Sequence, residues 1–187
     1  QLIGVASLAQ DVTVQKMAAE RASYLAYYDD LTGLPNRILF QELLAQSFIE
    51  ATRNSRLVGI MFLDIDHFKV VNDTLGHEAG NLLLQLAAQR LQTCFRPGDT
   101  VARLGGDEFA VALAEIAQVD DVALVAEHII EGFREPFSIL GHELFVTFSM
   151  GISLYPFDDG SVEHLLRNAD SAMYAAKAAG RNCYRFY

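Results

Sequence analysis

Two pairs of acids stand where the chain turns. Gly105-Gly106-Asp107-Glu108-Phe109 lies between two apolar, strand-like runs and puts two carboxylates at the tip of a tight turn. Upstream, Gly59-Ile60-Met61-Phe62-Leu63 reads as a short buried strand running straight into Asp64-Ile65-Asp66, so a second acid pair lies at a strand end. Two acid-tipped strands can share one cation. Hard oxygen ligands suit magnesium, which needs few of them from protein and takes others from phosphate. The pattern therefore points to metal-assisted phosphate chemistry.

The elements that must carry these acids follow from periodicity. Residues 37–52 read as a helix and 57–63 as a strand. A long helix over 74–95 has Leu75, Leu82, Leu83, Leu86, Ala87, Arg90 and Leu91 spaced for one buried face. Pro97-Gly98 breaks the chain, and residues 101–104 and 109–114 form two strands around the Gly-Gly turn, where glycine permits positive φ. Residues 119–133 read as a helix, 137–140 and 143–153 as strands joined through Gly141-His142, and 162–179 as the last helix, ended by Gly180. This order predicts an α/β chain of the α+β sandwich kind, a mixed sheet flanked by helices. Ahead of it, residues 2–9 are an apolar run and 12–27 read as a helix. The expected organisation is an appendage over 1–27 and a main domain over 28–187.

Bulk properties narrow the function. A chain of 187 residues suits one domain of roughly 150–160 residues with a sizeable core plus that appendage. No run approaches the ~18 uninterrupted apolar residues of a membrane span. The two cysteines, Cys94 and Cys183, share no short motif and suggest no secreted framework, so a cytoplasmic location is expected, with anchoring of a longer parent chain left open. The net charge of −10 argues against broad nucleic-acid binding, which needs a basic face. A single nucleotide triphosphate bridged to carboxylates by metal is compatible with that charge.

Four ordered blocks resemble the GGDEF family of diguanylate cyclases. They are Asp30-Leu31-Thr32-Gly33-Leu34-Pro35-Asn36-Arg37; Phe62-Leu63-Asp64-Ile65-Asp66-His67-Phe68-Lys69 with Asn72-Asp73 and Gly76-His77; Arg103-Leu104-Gly105-Gly106-Asp107-Glu108-Phe109; and Ala176-Lys177-Ala178-Ala179-Gly180-Arg181-Asn182. The resemblance implies a five-stranded mixed central sheet flanked by helices, related to the polymerase palm and to class III nucleotidyl cyclases. It implies condensation of two GTP into cyclic di-GMP by a homodimer. Each 3′-hydroxyl would attack the α-phosphorus of the other nucleotide and expel pyrophosphate.

Residue by residue, the resemblance makes Asp64 and Asp107 the metal-binding acids, with the Ile65 carbonyl as a further ligand and Glu108 as a helper near the metal or hydroxyl. Two Mg²⁺ (or Mn²⁺) ions per active site are expected, to lower the hydroxyl pKa and stabilise both entering and leaving oxygens. Gly105 and Gly106 form the turn. His67, Phe68 and Lys69 offer backbone N–H groups to the β- and γ-phosphates. Lys177 and Arg181, four apart at the end of the last helix, are expected to project together onto phosphate. Asn72 and Asn81 occupy the guanine-reading positions, and Asn81 departs from the family's aspartate. A carboxylate accepts both N1–H and N2–H of guanine, whereas an amide offers one acceptor. Arg96 and Asp99, in Arg96-Pro97-Gly98-Asp99, match the family's inhibitory product site, where cyclic di-GMP would bind. The first block reads as a turn and helix entry with Asn36 as cap.

Two further readings stand beside the cyclase. Asn81 is compatible with a catalytically weak module that binds GTP or cyclic di-GMP and regulates an attached EAL phosphodiesterase domain, since Asn182-Cys183-Tyr184-Arg185-Phe186-Tyr187 resembles the junction into such a domain. An amide also pairs with the donor–acceptor edge of adenine, which allows a mixed cyclic dinucleotide from ATP and GTP. Residues 1–27 resemble the last strand of a PAS sensory domain and its signalling helix, so an upstream sensor is an expected partner.

Overall fold

The computed structural model describes residues 15–17, 21 and 24–187. The strand expected at 2–9 and most of the helix expected at 12–27 lie outside the described residues. Those described within 12–27 are helical.

Helix α1, Arg37–Asn54, opens on Asn36, whose side-chain oxygen accepts from the N–H groups of Ile38 at 2.9 Å and Leu39 at 3.2 Å. That satisfies two of the donors a helix start leaves unpaired. There follow β1 (Leu57–Ile65), α2 (Phe68–Gln92), β2 (Thr100–Gly105), β3 (Glu108–Ile116), α3 (Val119–Gly132), β4 (Phe137–Ile139), β5 (His142–Leu144), β6 (Phe148–Tyr155), α4 (Val162–Ala178) and β7 (Cys183–Phe186). Five strands form one mixed sheet in the order β2-β3-β1-β6-β7, antiparallel except for the parallel β6–β7 pair, while β4 and β5 form a separate hairpin. The five-stranded α+β architecture expected from the sequence is the one observed.

Three elements differ from expectation. Helix α2 begins at Phe68 rather than 74 and is interrupted at Gly76, where φ 85° and ψ 164° are not helical. That break hides the first two turns from a periodicity count. The single strand expected over 143–153 is two, because residues of β5 pair only with β4, whereas β6 crosses to the main sheet beside β1. The segment read as a junction contains β7, which pairs with β6 from Ser149↔Cys183 to Ile152↔Phe186.

Alternation along the central strand divides the core. Met61, Leu63 and Ile65 of β1 pack with Leu83, Ala87 and Leu91 of α2 and with Val122 and Ile129 of α3. Val58, Ile60 and Phe62 pack on the opposite face with Phe40, Leu44 and Phe48 of α1 and with Leu165, Ala169 and Met173 of α4. The same parity carries Asp64 to the α1/α4 face.

Candidate active site

Strand register brings the two acid pairs together. Asp64 is the direct partner of Glu108 across β1 and β3, and the Ile65 N–H donates to the Asp107 carbonyl at 3.3 Å. The turn between β2 and β3 holds Gly105 at φ 143° and Gly106 at φ 54°, the left-handed region that favours glycine. Burial pushes the Asp64 carboxyl above its ordinary value. The Lys177 ammonium opposes that, and the Asp107 and Glu108 charges add to it.

Lys177 reaches Asp64 from α4, its Nζ 2.7 Å from Oδ2. This approach depends on the small side chains that β6 turns toward the helix. A Cβ at Gly151 would lie 2.0 Å from the Ala169 carbonyl oxygen and 2.1 Å from the Met173 nitrogen, so α4 rests directly on the strand there. Helix α4 ends at Ala178, so Arg181 is not on its face as the four-residue spacing suggested. Gly180, Arg181 and Asn182 all take positive φ, and this reversal sets the Arg181 Nε 4.0 Å from Asp66 Oδ1. The two cations still converge on the Asp64–Asp66 edge, by a different route.

His67, at φ 61°, is the residue before α2, and Phe68 and Lys69 are its first helical residues. Their N–H groups belong to a helix start, which attracts anions through unpaired donors and the helix dipole. Across the Gly76 break, the Asn72 carboxamide lies where a side chain at Gly80 would be, its Oδ1 1.9 Å from a built Cβ. Asn81, exposed, is the next residue. The Asn72 amide therefore lies against the residue that precedes Asn81. Asp99 Oδ1 accepts from the Ala114 N–H at 3.2 Å, and Arg96 donates to the Ala114 carbonyl at 2.6 Å. Arg96 and Asp99 thus lie in the loop between α2 and the edge strand β2, where hollows of about 440 and 340 Å³ are both lined by Arg96, Pro97 and Asp99.

The donor set fits a divalent cation. Asp64, Asp107, Glu108 and the Ile65 carbonyl are all hard oxygen ligands, and the mutual repulsion felt at Asp64 is what a cation would relieve. Among the described residues no three His, Cys, Asp or Glu side chains are gathered closely enough to hold a metal ion by themselves.

Sequence reasoning missed the groups that hold the signature turn. Arg103 donates from Nη1 to both oxygens of Asp29 at 2.9 Å, and from Nε and Nη2 to the Gly106 carbonyl at 3.0 and 2.7 Å. Thr32 donates its N–H and hydroxyl to Asp29 at 2.9 and 2.7 Å. The Asp29-to-Thr32 spacing is a turn signature that could have exposed this. Arg37 lies with Nη2 3.9 Å from Glu108 Oε2, and nothing in its spacing foretold that.

The family profile described as diguanylate cyclase, GGDEF domain, matches residues 26–183. The chain belongs to the GGDEF family. It is 45% identical over 163 residues to the bifunctional diguanylate cyclase/cyclic di-GMP phosphodiesterase MucR of Pseudomonas aeruginosa, covering 87% of this chain and 24% of MucR. It is 40% identical over 163 residues to the cyclic di-GMP phosphodiesterase NbdA of the same organism, covering 87% of this chain and 21% of NbdA. The chain thus spans about a quarter or less of these relatives. Among solved structures, the GGDEF domain of P. aeruginosa TpbB (YfiN) superposes with TM-score 0.84 at 39% identity, over 86% of this chain and 94% of that one. TpbB is itself named a diguanylate cyclase. Among the described residues no helix is long and apolar enough to cross a membrane.

Proposed function

We propose that this GGDEF domain is a diguanylate cyclase that condenses two GTP into cyclic di-GMP and two pyrophosphates. The observation that carries the reading is the facing of Asp64 and Glu108 across β1 and β3, with Asp107 tied to Ile65 and the Lys177 ammonium 2.7 Å from Asp64. Carboxylates on one side and cations on the other are what a metal–triphosphate complex requires.

In this reading Asp64, Asp107 and the Ile65 carbonyl would hold Mg²⁺ or Mn²⁺, two ions per site, which when bound would supply positive charge to the reacting phosphate. Glu108 stands near the attacking hydroxyl. The N–H groups of His67, Phe68 and Lys69, with Lys177 and Arg181, orient the phosphates, and Asn72 and Asn81 read the base. Each 3′-oxygen forms a bond to the other nucleotide's α-phosphorus, the bond to pyrophosphate breaks, and the hydroxyl proton passes to water. Two sites facing each other in a homodimer perform both steps. Arg96 and Asp99 bind the product and restrain its synthesis. An upstream sensor and, as in the name of MucR, a phosphodiesterase unit belong to the parent chain.

Asn81 favours a second reading, a regulatory module with weak or base-relaxed nucleotide use. One acceptor fewer leaves a guanine donor unpaired, which costs about 1–3 kcal/mol where the bound base is shielded from water. Both readings are tested by incubating the domain with Mg²⁺ and GTP, ATP or their mixture, and identifying the products by chromatography. Cyclic di-GMP that falls on the order of 100-fold or more in Asp107→Asn supports the cyclase. A mixed dinucleotide assigns relaxed selectivity to Asn81. GTP binding without any product supports the regulatory module.

A further inference from the structure

Asp66 is the one acid of the two strand-end pairs that the proposed chemistry does not use. It is nevertheless the most heavily engaged. Its side chain is 2% exposed. Oδ1 accepts from the Ser149 hydroxyl at 2.6 Å and faces the Arg181 Nε at 4.0 Å. Oδ2 accepts from the Thr147 hydroxyl at 2.6 Å and from the Asn182 N–H at 3.0 Å, while the Asp66 N–H donates to the Thr147 carbonyl at 2.9 Å. One carboxylate therefore joins the end of β1, the start of β6 and the reversal after α4. Three hydrogen bonds and a facing guanidinium around two oxygens leave it little capacity for a metal.

Three successive residues with positive φ, two of them not glycine, are held by the Gly180 N–H on the Lys177 carbonyl at 3.4 Å, by the Arg181 N–H on the Ala176 carbonyl at 3.2 Å, and, from outside the helix end, by Asp66. Such a conformation persists only where its surroundings enforce it. Arg181 is half exposed and lies between Asp66 and solvent on the edge that Lys177 also reaches.

We propose that Asp66 is a positioning residue for the nucleotide's phosphates, acting through Arg181: it suspends the Gly180-Arg181-Asn182 reversal from β1 and β6 and aims the guanidinium at the triphosphate. The role rests on the cyclase reading, which puts phosphate beside Lys177 and Arg181. Asp66→Asn isolates the charge. An amide oxygen still accepts from Thr147 and Asn182, and the Ser149 hydroxyl can turn to accept from the amide nitrogen, but Arg181 loses its anion.

The test measures binding of the α,β-methylene analogue of GTP with Mg²⁺ by calorimetry in wild type, Asp66→Asn, Arg181→Ala and the double variant. Each single variant is expected to bind about tenfold more weakly, and the double variant no more weakly than Arg181→Ala alone. Thr147→Val, which removes one donor to Asp66 and keeps its shape, is expected to weaken binding about two- to threefold and serves if Asp66→Asn does not fold. Wild-type affinity in Asp66→Asn or in Thr147→Val, or losses that multiply in the double variant, would overturn the role while leaving the cyclase reading intact. A wild-type chain that does not bind the analogue overturns that reading and this role together.

Discussion

Arg103 spends its guanidinium on two partners of different kinds, the Asp29 carboxylate and the Gly106 carbonyl. The second contact fixes the backbone that presents Asp107 and Glu108, so the clamp sets the acids' position without touching them. Burial alone would push the Asp29 carboxyl up, but the Thr32 hydroxyl, the Arg103 guanidinium and the Thr32 N–H outweigh it and hold it below its ordinary value. A carboxyl lowered on folding contributes stability above its unfolded value and loses it as pH falls through the folded one. Asp29→Asn should therefore cost about 1–3 kcal/mol at neutral pH. The gap from wild type should close as pH drops below about 4. Urea denaturation across a pH series measures it. A gap of constant size down to the acid limb would mean that the ion pair is not its source.

At the scale of elements, the sheet face under α4 is built from Ser149, Gly151 and Ser153, and the Ser153 hydroxyl donates to the Leu165 carbonyl at 2.8 Å. Small side chains let the helix backbone touch the strand, and that contact sets how far Lys177 reaches. Gly151→Ala must move α4 or β6, since the clashing atoms are backbone. We expect about 1–3 kcal/mol of destabilisation from overpacking. Weaker binding of a GTP analogue should accompany it, whereas Gly160→Ala, with nothing within 4 Å of its Cβ, should change neither. Unchanged nucleotide binding in a destabilised Gly151→Ala would separate packing from the site. This contact also marks where the sequence stopped being legible. The Asn36 cap, the acid-tipped strand β1 and the Gly-Gly turn are local signals, and all appear where expected. Gly151 inside an apolar run, Asp66 and the Arg103 clamp depend on partners far along the chain, up to 116 residues away. Periodicity carries no term for such partners. The start of α2 failed for a local reason, since Gly76 breaks the repeat that a helix is read from.

At the scale of the whole molecule, the proposed chemistry is symmetric and the site is single. One set of Asp64, Asp107 and Glu108 faces one helix start and one Lys177–Arg181 pair, which suits one nucleotide, whereas a cyclic dinucleotide needs two bonds formed in opposite senses. A two-fold dimer satisfies that with no new residue. A chain of net charge −10 repels its own copy at low ionic strength, so the encounter should be weak and helped by salt. Cyclic di-GMP formed per chain should thus rise with protein concentration, and rise further when salt goes from about 0.01 M to 0.15 M. Mixing gives the sharper measurement. At a total concentration where that rise has ended, an excess of Asp107→Asn chains should draw wild type into mixed dimers that form one bond and not the second. Cyclic product per wild-type chain should fall in proportion to the excess, and a linear dinucleotide should accumulate. Wild-type output indifferent to the inactive partner would mean that a single chain closes the ring, and the two-fold arrangement would have to be abandoned.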